Sequence, residues 1–264
     1  MNILFTICGR AGSKGIKNKN LKEFLGYPLP FYTVSAIDLY RKKNLDVYCD
    51  VVLNTDSNEL IKMFKEQLNF QVDIIERNSS LGSDNTPKVE VISNCLDVMK
   101  KRKSINYDMI VDLDITSPLR TVEDVGDLIR KKTESNLDIV FSVTDSRRNP
   151  YFNMVKKTEN GYERVIASKF NARQEAPEIF DMNASLYAYS PEFLESGKGI
   201  FETKCDVIKM VDTAVLDLDH ENDFELMQVV AKHLFEKYSL FREIRDNIMN
   251  CCVLSMSHTW FVEY

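Results

Sequence analysis

The segment NILFTIC, Asn2 to Cys8, runs directly into GRAGSKGIKNKN, Gly9 to Asn20, and together they indicate the fold class. The first segment is apolar, β-rich and too short for a helix, so it predicts a buried β-strand. The second contains three glycines and four cations. Because the ligand crevice of an open α/β sheet lies at the carboxyl ends of its strands, this loop is where we expect a binding site.

Along the rest of the chain, short β-rich runs alternate with longer runs of helical period. This alternation predicts an α/β fold, with a mainly parallel sheet and helices on both faces. The predicted strands are Asn2 to Cys8, Asp50 to Asn54, Val72 to Ile75, Met109 to Asp114, Asp138 to Val143, Val207 to Val211 and Ala214 to Leu218. The predicted helices are Phe31 to Lys42, Asn58 to Leu68, Pro87 to Lys101, Val122 to Thr133, and a later one with Phe224, Met227, Ala231, Leu234 and Tyr238 on one face.

Two helix starts carry capping residues. Thr86 is expected to cap the third helix, with Pro87 in its first position. Thr121 precedes the acidic pair Glu123 and Asp124, which favours a helix N-terminus there.

The alternation lapses between residues 147 and 204, where Arg, Asn, Tyr and Phe accumulate around Pro150, Pro177 and Pro191. We interpret this range as an inserted subdomain. The core domain then comprises residues 1–146 and 205–249. Residues 250–264 form a tail whose composition differs from the rest of the chain and to which we assign no role.

Composition restricts the function classes. The chain has 264 residues, 44% of them hydrophobic, which is enough for a full core. Its net charge of −6 argues against a broad nucleic-acid or membrane surface. No segment resembles a membrane span or a signal peptide, so we expect a cytoplasmic protein. The cysteines lack metal-binding spacing, and Cys8, Cys49 and Cys95 are expected to be reduced core residues.

The loop Gly9 to Asn20 has the chemistry of a polyphosphate site. Glycines let backbone N–H groups approach phosphate oxygens closely, and Arg10, Lys14, Lys17 and Lys19 supply charge. The alternative is a solvated basic turn. The glycine and lysine spacing fits neither a P-loop nor a dinucleotide fingerprint, which weakens an NTPase or dehydrogenase interpretation.

Gly9 to Asn20 resembles the ARxGSKGxxxKN signature of the CMP-acylneuraminate synthetases, with Gly9 at the first small position. The resemblance extends, in the family's order, from about Ile3 to Leu226. Its other segments are Arg77 to Thr86 (the family's RPxxLxxDxx segment), Thr116-Ser117-Pro118-Leu119-Arg120 (TSPLR), Arg173-Gln174 with Asn183 and Tyr187, and Asp217-Leu218-Asp219. The resemblance implies a Rossmann-like nucleotide-diphospho-sugar transferase fold.

The resemblance also implies roles for single residues on the nucleotide side. Arg10, Lys14, Lys19 and Asp219 would be catalytic, and the CTP-binding residues would be Gly12, Ser13, Asn20, Arg77, Ser83 and Asp84. Without the family resemblance, Arg77 is better interpreted as an ordinary surface cation, and Ser83-Asp84 as a helix cap near Thr86.

Two carboxylate pairs are candidates for metal binding, because magnesium takes oxygen ligands in phosphoryl transfer. Asp217 and Asp219 would share one face of a strand end and hold magnesium or manganese. The alternative is an acidic helix start made by Asp219, Glu221 and Asp223. Asp112 and Asp114 form the second pair. The family commonly has Gln in place of Asp114, in its acyl-sugar pocket, so Asp114 remains a candidate for either the metal or the sugar.

An acidic, hydroxyl-rich sugar calls for arginine, amide and aromatic groups. The predicted sugar-binding residues are Asp114, Arg147, Arg173, Gln174, Asn183, Tyr187 and Phe201. The resemblance implies that the inserted range lends residues to the partner's site in a homodimer. The family has a second arginine where this chain has Asp181, which indicates a modified sugar pocket.

The function implied by the resemblance is transfer of CMP from CTP to the anomeric hydroxyl of a sialic-acid-like nonulosonic acid. One alternative is a cytidylyltransferase for an eight-carbon acid such as Kdo, for which a Gln-Gly-Asp type strand end is expected instead of Leu113-Asp114-Ile115. Another is a nucleotide-binding protein without turnover, which would be expected to lack Asp114, Asp217 and Asp219.

Overall fold

The computed structural model describes residues 1–12, 15–83, 86–170, 172–212, 218 and 220–253, without the side chains of Ser79 and Arg173. Within these residues the strands are β1 (Asn2–Gly9), β2 (Glu23–Phe24), β3 (Tyr27–Pro28), β4 (Tyr48–Thr55), β5 (Asp73–Glu76), β6 (Met109–Leu113), β7 (Ile139–Asp145), β8 (Val155–Thr158), β9 (Gly161–Arg164), β10 (Phe180–Tyr189) and β11 (Cys205–Lys209). The helices are α1 (Leu29–Lys43), α2 (Asn58–Gln67), α3 (Lys88–Lys103), α4 (Val122–Thr133), α5 (Pro191–Ser196), α6 (Glu221–Lys237) and α7 (Ser239–Cys251).

The main sheet has seven strands in the order β11-β7-β10-β6-β1-β4-β5. Its neighbouring strands pair in parallel, apart from β10, which runs antiparallel to both β6 and β7. The predicted mainly parallel α/β fold is confirmed, and six of the predicted strands lie within two residues of the observed ones. The predicted strand Ala214 to Leu218 falls outside the described residues except for Leu218.

Two hydrophobic cores lie on opposite faces of the sheet, as the prediction of helices on both faces requires. The first contains side chains from α1, α2, α4, α6 and α7, and the second contains side chains from α3 and α5. Side chains alternate between the faces along a strand. On β1, Phe5 and Ile7 therefore enter the first core, while Leu4 enters the second. Thr6 and Cys8 share the face of Leu4, which brings polar groups to the α3 side at the carboxyl edge.

The two helix starts behave differently. Thr121 forms the predicted cap of α4, because its side chain and that of Asp124 each accept a hydrogen bond from the other's backbone N–H. The prediction for α3 was wrong. Pro87 has ψ of 136° and stands at the N-cap, so the helix begins at Lys88, and the Thr86 hydroxyl lies 2.9 Å from that of Ser83 instead.

The end of α6 also differs from the prediction. Phe224, Met227, Ala231 and Leu234 are buried as expected, but Tyr238 is 43% exposed. The helix ends at Lys237, which takes Tyr238 off the helical face, and Phe235 is buried in addition.

Part of the predicted insertion belongs to the central sheet. Strand β10 lies between β6 and β7, whereas β8 and β9 form a separate two-stranded hairpin. The beginning of the predicted tail is ordered into α7, and Cys251 and Cys252 are buried beside α2. All six cysteines are free thiols, as expected for Cys8, Cys49 and Cys95. No helix in the described part of the chain has the length and apolarity needed to cross a membrane.

Candidate functional site

A cleft of about 410 Å³ lies at the carboxyl edge of the sheet, where β1, β5 and β6 end. The residues that line it are Cys8, Arg10, Gly15, Lys19, Asn20, Arg77, Leu81, Ser83, Thr86, Lys88, Val91, Asp114 and Thr116. The cleft therefore brings together the glycine-rich loop, the Arg77 loop and the end of β6, which are far apart in sequence. This is the edge at which an open α/β sheet binds its ligands.

The glycine-rich loop leaves β1 through a tightly packed glycine. A Cβ at Gly9 would lie 2.8 Å from Ile115 Cδ1 and 2.9 Å from Leu60 Cδ2, so a larger residue would require both to move. Gly12 has φ of +72°, a conformation that side chains disfavour. The predicted residues Ser13 and Lys14 lie outside the described residues.

Hydrogen bonds hold the two ends of this loop in place. Asn20 Nδ2 donates to the Arg10 carbonyl at 3.1 Å, and the N–H of Ala11 donates to Asp56 Oδ1 at 2.6 Å. Lys19 Nζ donates to the carbonyl of Leu218 at 2.6 Å. Lys19 thereby fastens the loop to the residue between the two predicted metal ligands.

Arg77 is anchored at the cleft rather than lying free on the surface. Its Nε donates to Asn54 Oδ1 at 2.7 Å and one terminal nitrogen donates to the Asn54 carbonyl at 3.1 Å. The guanidinium is consequently fixed beside the end of β4, with edges left for a ligand. Ser83 also lines the cleft, whereas Asp84 lies outside the described residues.

A lysine joins the two carboxylates at the end of β6. Lys88 Nζ lies 2.7 Å from Oδ2 of Asp112 and 2.7 Å from Oδ2 of Asp114. Thr6 donates to the other oxygen of Asp112, and the N–H and hydroxyl of Thr116 donate to Oδ1 of Asp114. Asp112 is fully buried, and Asp114 lines the cleft.

These contacts keep Lys88 and Asp114 charged. Burial by itself would raise the pKa of Asp114, but Lys88 and Thr116 outweigh it and hold that pKa well below its usual range. Burial would likewise lower the pKa of Lys88, but the charges of Asp112 and Asp114 outweigh it and raise the pKa. Both ions therefore persist across the physiological pH range.

Arg120 supports the floor of the cleft from below. Its side chain is 1% exposed and donates to the carbonyls of Asp114 and Ser117 and to the hydroxyls of Thr33 and Ser185. Burial lowers the pKa of Arg120 to about 10, which still leaves it charged at neutral pH. The guanidinium thus fixes the backbone that carries Asp114.

A family model described as cytidylyltransferase matches residues 4–238 of the chain. The chain belongs to the cytidylyltransferase family. It is 29% identical over 231 residues to post-translational flagellin modification protein B of Campylobacter coli, covering 87% of this chain and 95% of the relative. It is 29% identical over 226 residues to CMP-N,N'-diacetyllegionaminic acid synthase of Campylobacter jejuni subsp. jejuni, covering 86% and 93% respectively.

A solved structure shares the fold of this cytidylyltransferase. The CMP:2-keto-3-deoxy-manno-octonic acid synthetase complexed with CTP superposes with a TM-score of 0.59 at 16% identity. The match covers 88% of this chain and 99% of that one. The Rossmann-like nucleotidyltransferase fold implied by the sequence resemblance is therefore confirmed.

Most of the predicted sugar-binding residues of the cytidylyltransferase do not line the cleft; Asp114 is the exception. Arg147 follows β7 and pairs with Asp212 at 2.8 Å. Asn183 is buried in a β10 irregularity, where it accepts a hydrogen bond from Ser142. Tyr187 stacks between Phe141 and Tyr189. Gln174 and Phe201 are exposed, and the side chain of Arg173 is not described.

A metal ion does not fit the described end of β6. Three of the four hydrogen-bonding positions of the Asp114 carboxylate are taken by Lys88 and Thr116, so an ion there would have to displace an ammonium group. In the ranges that the structure describes, no group of three or more His, Cys, Asp and Glu side chains could hold a metal ion. The predicted ligands Asp217 and Asp219 lie outside the described residues.

Sequence reasoning missed Lys88 and gave Arg120 no role beyond its motif. One signal for Lys88 was available, because a lysine in the first turn of a helix opposes the helix dipole and calls for a carboxylate partner. Cys8 also lines the cleft, but its hydrogen bond to Cys95 and its burial raise the pKa of the thiol. Cys8 is therefore not suited to act as a nucleophile.

Proposed function

We propose that this cytidylyltransferase transfers CMP from CTP to the anomeric hydroxyl of a nonulosonic acid and releases pyrophosphate. The observation that carries the proposal is the cleft, in which the glycine-rich loop and the Arg77 loop place Arg10, Lys19 and Arg77 around one space. A relative of this chain is named for a CMP-nonulosonic acid product. The cations suit a triphosphate, and the space beside Asp114 suits a polar acceptor.

In the proposed reaction the anomeric oxygen attacks the α-phosphorus of CTP. The bond to the β-phosphate oxygen breaks, the hydroxyl proton passes to solvent, and pyrophosphate leaves with the bonding electron pair. Arg10 and Lys19 meet the charge that develops on the leaving group, and fixed cations are most effective at such a position because they need no reorganisation. Arg77 holds the nucleotide from the opposite side of the cleft.

We further propose that Asp217 and Asp219 bind magnesium or manganese. The support is their predicted position at a strand end and the hydrogen bond by which Lys19 holds the intervening Leu218. A divalent ion at such a site offsets charge on the phosphates and orients the transferring group. Asp114 is then left to the acceptor sugar.

Pyrophosphate release from CTP tests the proposed function directly. The acceptors are N-acetylneuraminic acid, its deaminated analogue, N,N'-diacetyllegionaminic acid and Kdo. We expect turnover with the nonulosonic acids and none of comparable efficiency with Kdo. If Kdo were the best acceptor, the protein would instead be a cytidylyltransferase for an eight-carbon acid. CTP binding without pyrophosphate release under any condition would indicate a nucleotide-binding protein.

Within that panel we expect the preferred acceptor to differ from N-acetylneuraminic acid. An ionised Asp114 accepts hydrogen bonds only, unlike the Gln of the resembling family, and exposed Asp181 replaces a cation. One matched hydrogen bond in a closed pocket is worth about 1–3 kcal/mol, roughly a ten- to hundredfold preference. The kcat/KM values should favour the diacetamido or the deaminated acid. A clear preference for N-acetylneuraminic acid would contradict this expectation.

We also propose a homodimer in which the range 147–204 meets a second copy. Several large apolar side chains of this range are exposed, which suits an interface. They are Met154, Val155, Tyr162, Ile166, Phe180, Met182 and Phe201. In the dimer, Arg147, Arg173, Gln174 and Phe201 would reach the partner's cleft. This would account for the absence of Arg147, Gln174 and Phe201 from the lining of their own cleft.

Light scattering after size-exclusion chromatography tests the dimer. Tyr162 is 74% exposed on β9, and Tyr162→Lys should raise the dissociation constant at least tenfold with little change in melting temperature, because a charge at the centre of an apolar interface is poorly solvated. Leu45→Lys is the matched control, at a site 89% exposed and distant in sequence. A monomeric wild type at micromolar concentration would contradict the proposal.

We propose a cytoplasmic enzyme, supported by six free cysteines, since reduced thiols are typical of that compartment. Its partners are CTP and the acidic sugar. The net charge of −6 gives no support to a nucleic-acid partner.

A further inference from the structure

We infer that Lys88 contacts an uncharged polar group of the acceptor sugar, and that buried Asp112 positions Lys88 for that contact. The inference rests on the proposed function and adds two residues to the acceptor side. Lys88 is the first residue of α3 and lines the cleft with 34% of its side chain exposed. Asp112 is fully buried, so it contacts no ligand itself.

The hydrogen-bonding capacity of the cluster leaves one donor and one acceptor. The ammonium of Lys88 has three protons. One is donated to Asp114, and the ion pair with Asp112 occupies a second, so the third remains for a ligand. The Asp114 carboxylate accepts two bonds from Thr116 and one from Lys88. A ligand at the cleft floor can therefore accept a bond from Lys88 and donate one to Asp114.

The charges of the cluster select an uncharged ligand group. Lys88 together with Asp112 and Asp114 carries a net charge of −1, and the buried guanidinium of Arg120 brings the sum to zero. A phosphate bound to Lys88 would lie beside the ionised Asp114, and the repulsion would oppose binding. Arg10, Lys19 and Arg77 are better placed for the triphosphate. A hydroxyl or a secondary amide matches the donor and acceptor that remain.

Asp112 explains how a lysine can stay in this position. The N-terminus of a helix repels a cation, and a four-carbon side chain has many rotamers. The carboxylate below fixes the ammonium from the β6 side, and the Thr6 hydroxyl fixes the carboxylate at 2.7 Å. Thr6, Asp112 and Lys88 thus form a chain of contacts from the middle of β1 to the cleft. Removing Asp112 should release Lys88 without removing its charge.

Calorimetric binding of the acceptor to the protein loaded with a non-hydrolysable CTP analogue tests the inference. The variants are Lys88→Met, Lys88→Arg and Asp112→Asn. Lys100→Met is the matched control, because Lys100 lies on the same helix and pairs with Glu195 at 2.9 Å away from the cleft-lining residues. We expect Lys88→Met to weaken acceptor binding roughly tenfold or more, the equivalent of one hydrogen bond to a charged group, and CTP-analogue binding by less than about threefold.

Asp112→Asn should also weaken acceptor binding. Lys88→Arg should retain part of the acceptor affinity that Lys88→Met loses. Equal losses for CTP and acceptor, or a lower melting temperature with unchanged binding, would overturn the inference and indicate a structural ion pair. If Lys88→Met fails to fold, the double variant Lys88→Met/Asp112→Leu replaces the pair by apolar side chains, which proteins often tolerate. That variant should show the same selective loss.

Turnover is measured separately, so the two proposals fail in different ways. Acceptor binding that depends on Lys88 without pyrophosphate release would refute the proposed function and support the contact. Turnover that Lys88→Met leaves unchanged, with unchanged acceptor binding, would refute the contact and support the function. A wild-type protein that binds none of the acceptors would refute both.

Discussion

The Asp219→Asn variant should turn over CTP roughly a hundredfold or more slowly than the wild type, with an unchanged fold. The carboxamide keeps the shape of the side chain but removes the charge that a divalent ion requires. In a site of this kind a lost ligand removes several kcal/mol of transition-state stabilisation, estimated from typical metal-ion catalysis as about 3 kcal/mol or more. Steady-state kinetics at saturating magnesium and at graded manganese would measure the loss.

The control for this prediction is Asp223→Asn. Asp223 lies in the first turn of α6, where its carboxylate accepts a hydrogen bond from the N–H of His220 at 2.7 Å. Losing that cap should lower stability by about 1 kcal/mol and leave turnover nearly unchanged. If Asp219→Asn instead behaved like Asp223→Asn, both carboxylates would be helix-start residues and the metal assignment would be withdrawn. Chelation of divalent ions should abolish wild-type turnover, and magnesium should restore it.

A Lys19→Ala variant should slow turnover by roughly tenfold to a thousandfold, because a fixed donor for the departing charge is lost. Its hydrogen bond to the Leu218 carbonyl gives the variant a second effect, since the segment with Asp217 and Asp219 loses an anchor. We therefore expect the kcat to fall more than CTP binding weakens. One hydrogen bond from a charged group contributes about 1.5–3 kcal/mol at most, so the melting temperature should fall by only several degrees.

Lys22→Ala is the control for Lys19→Ala. Lys22 is a nearby lysine that pairs with Glu221 and lies 5.0 Å from the centre of the Phe224 ring, and it does not line the cleft. Its removal should leave turnover within about a factor of two, as is usual for a surface ion pair. A Lys19→Ala variant that lost stability and activity in equal measure would instead show a structural role.

The glycine-rich loop and the Arg77 segment could be located from the sequence because each directly follows a predicted strand. The loop after β1 and the residues after β5 each lie next to the strand that positions them, so strand prediction and loop chemistry suffice. The order of the strands in the sheet is harder to predict from the sequence. The place of β10 between β6 and β7 depends on pairing between residues far apart in the chain, which local patterns do not encode.

The roles of Lys88 and Arg120 could not be predicted from the sequence for the same reason. The partner of Lys88 lies on β6, and Arg120 reaches hydroxyls of Thr33 and Ser185 on α1 and β10. These contacts exist only once the sheet is assembled. The sugar-binding residues were predicted from residue types and from the family resemblance, and in a single copy most of them do not line the cleft.

Strand β10 has a practical consequence for anyone who redesigns this enzyme. The backbone N–H of Asp114 donates to the Ser185 carbonyl at 3.1 Å, and Leu186 pairs with Leu113. The strand that leaves the surface hairpin region therefore also braces the floor of the cleft. The β8–β9 hairpin lies outside the seven-stranded sheet, so exchanging it would keep the strand order but would alter the proposed dimer surface around Tyr162. Any graft that also replaces Phe180–Tyr189 exchanges a central strand, and would have to import its β6 and β7 partners with it.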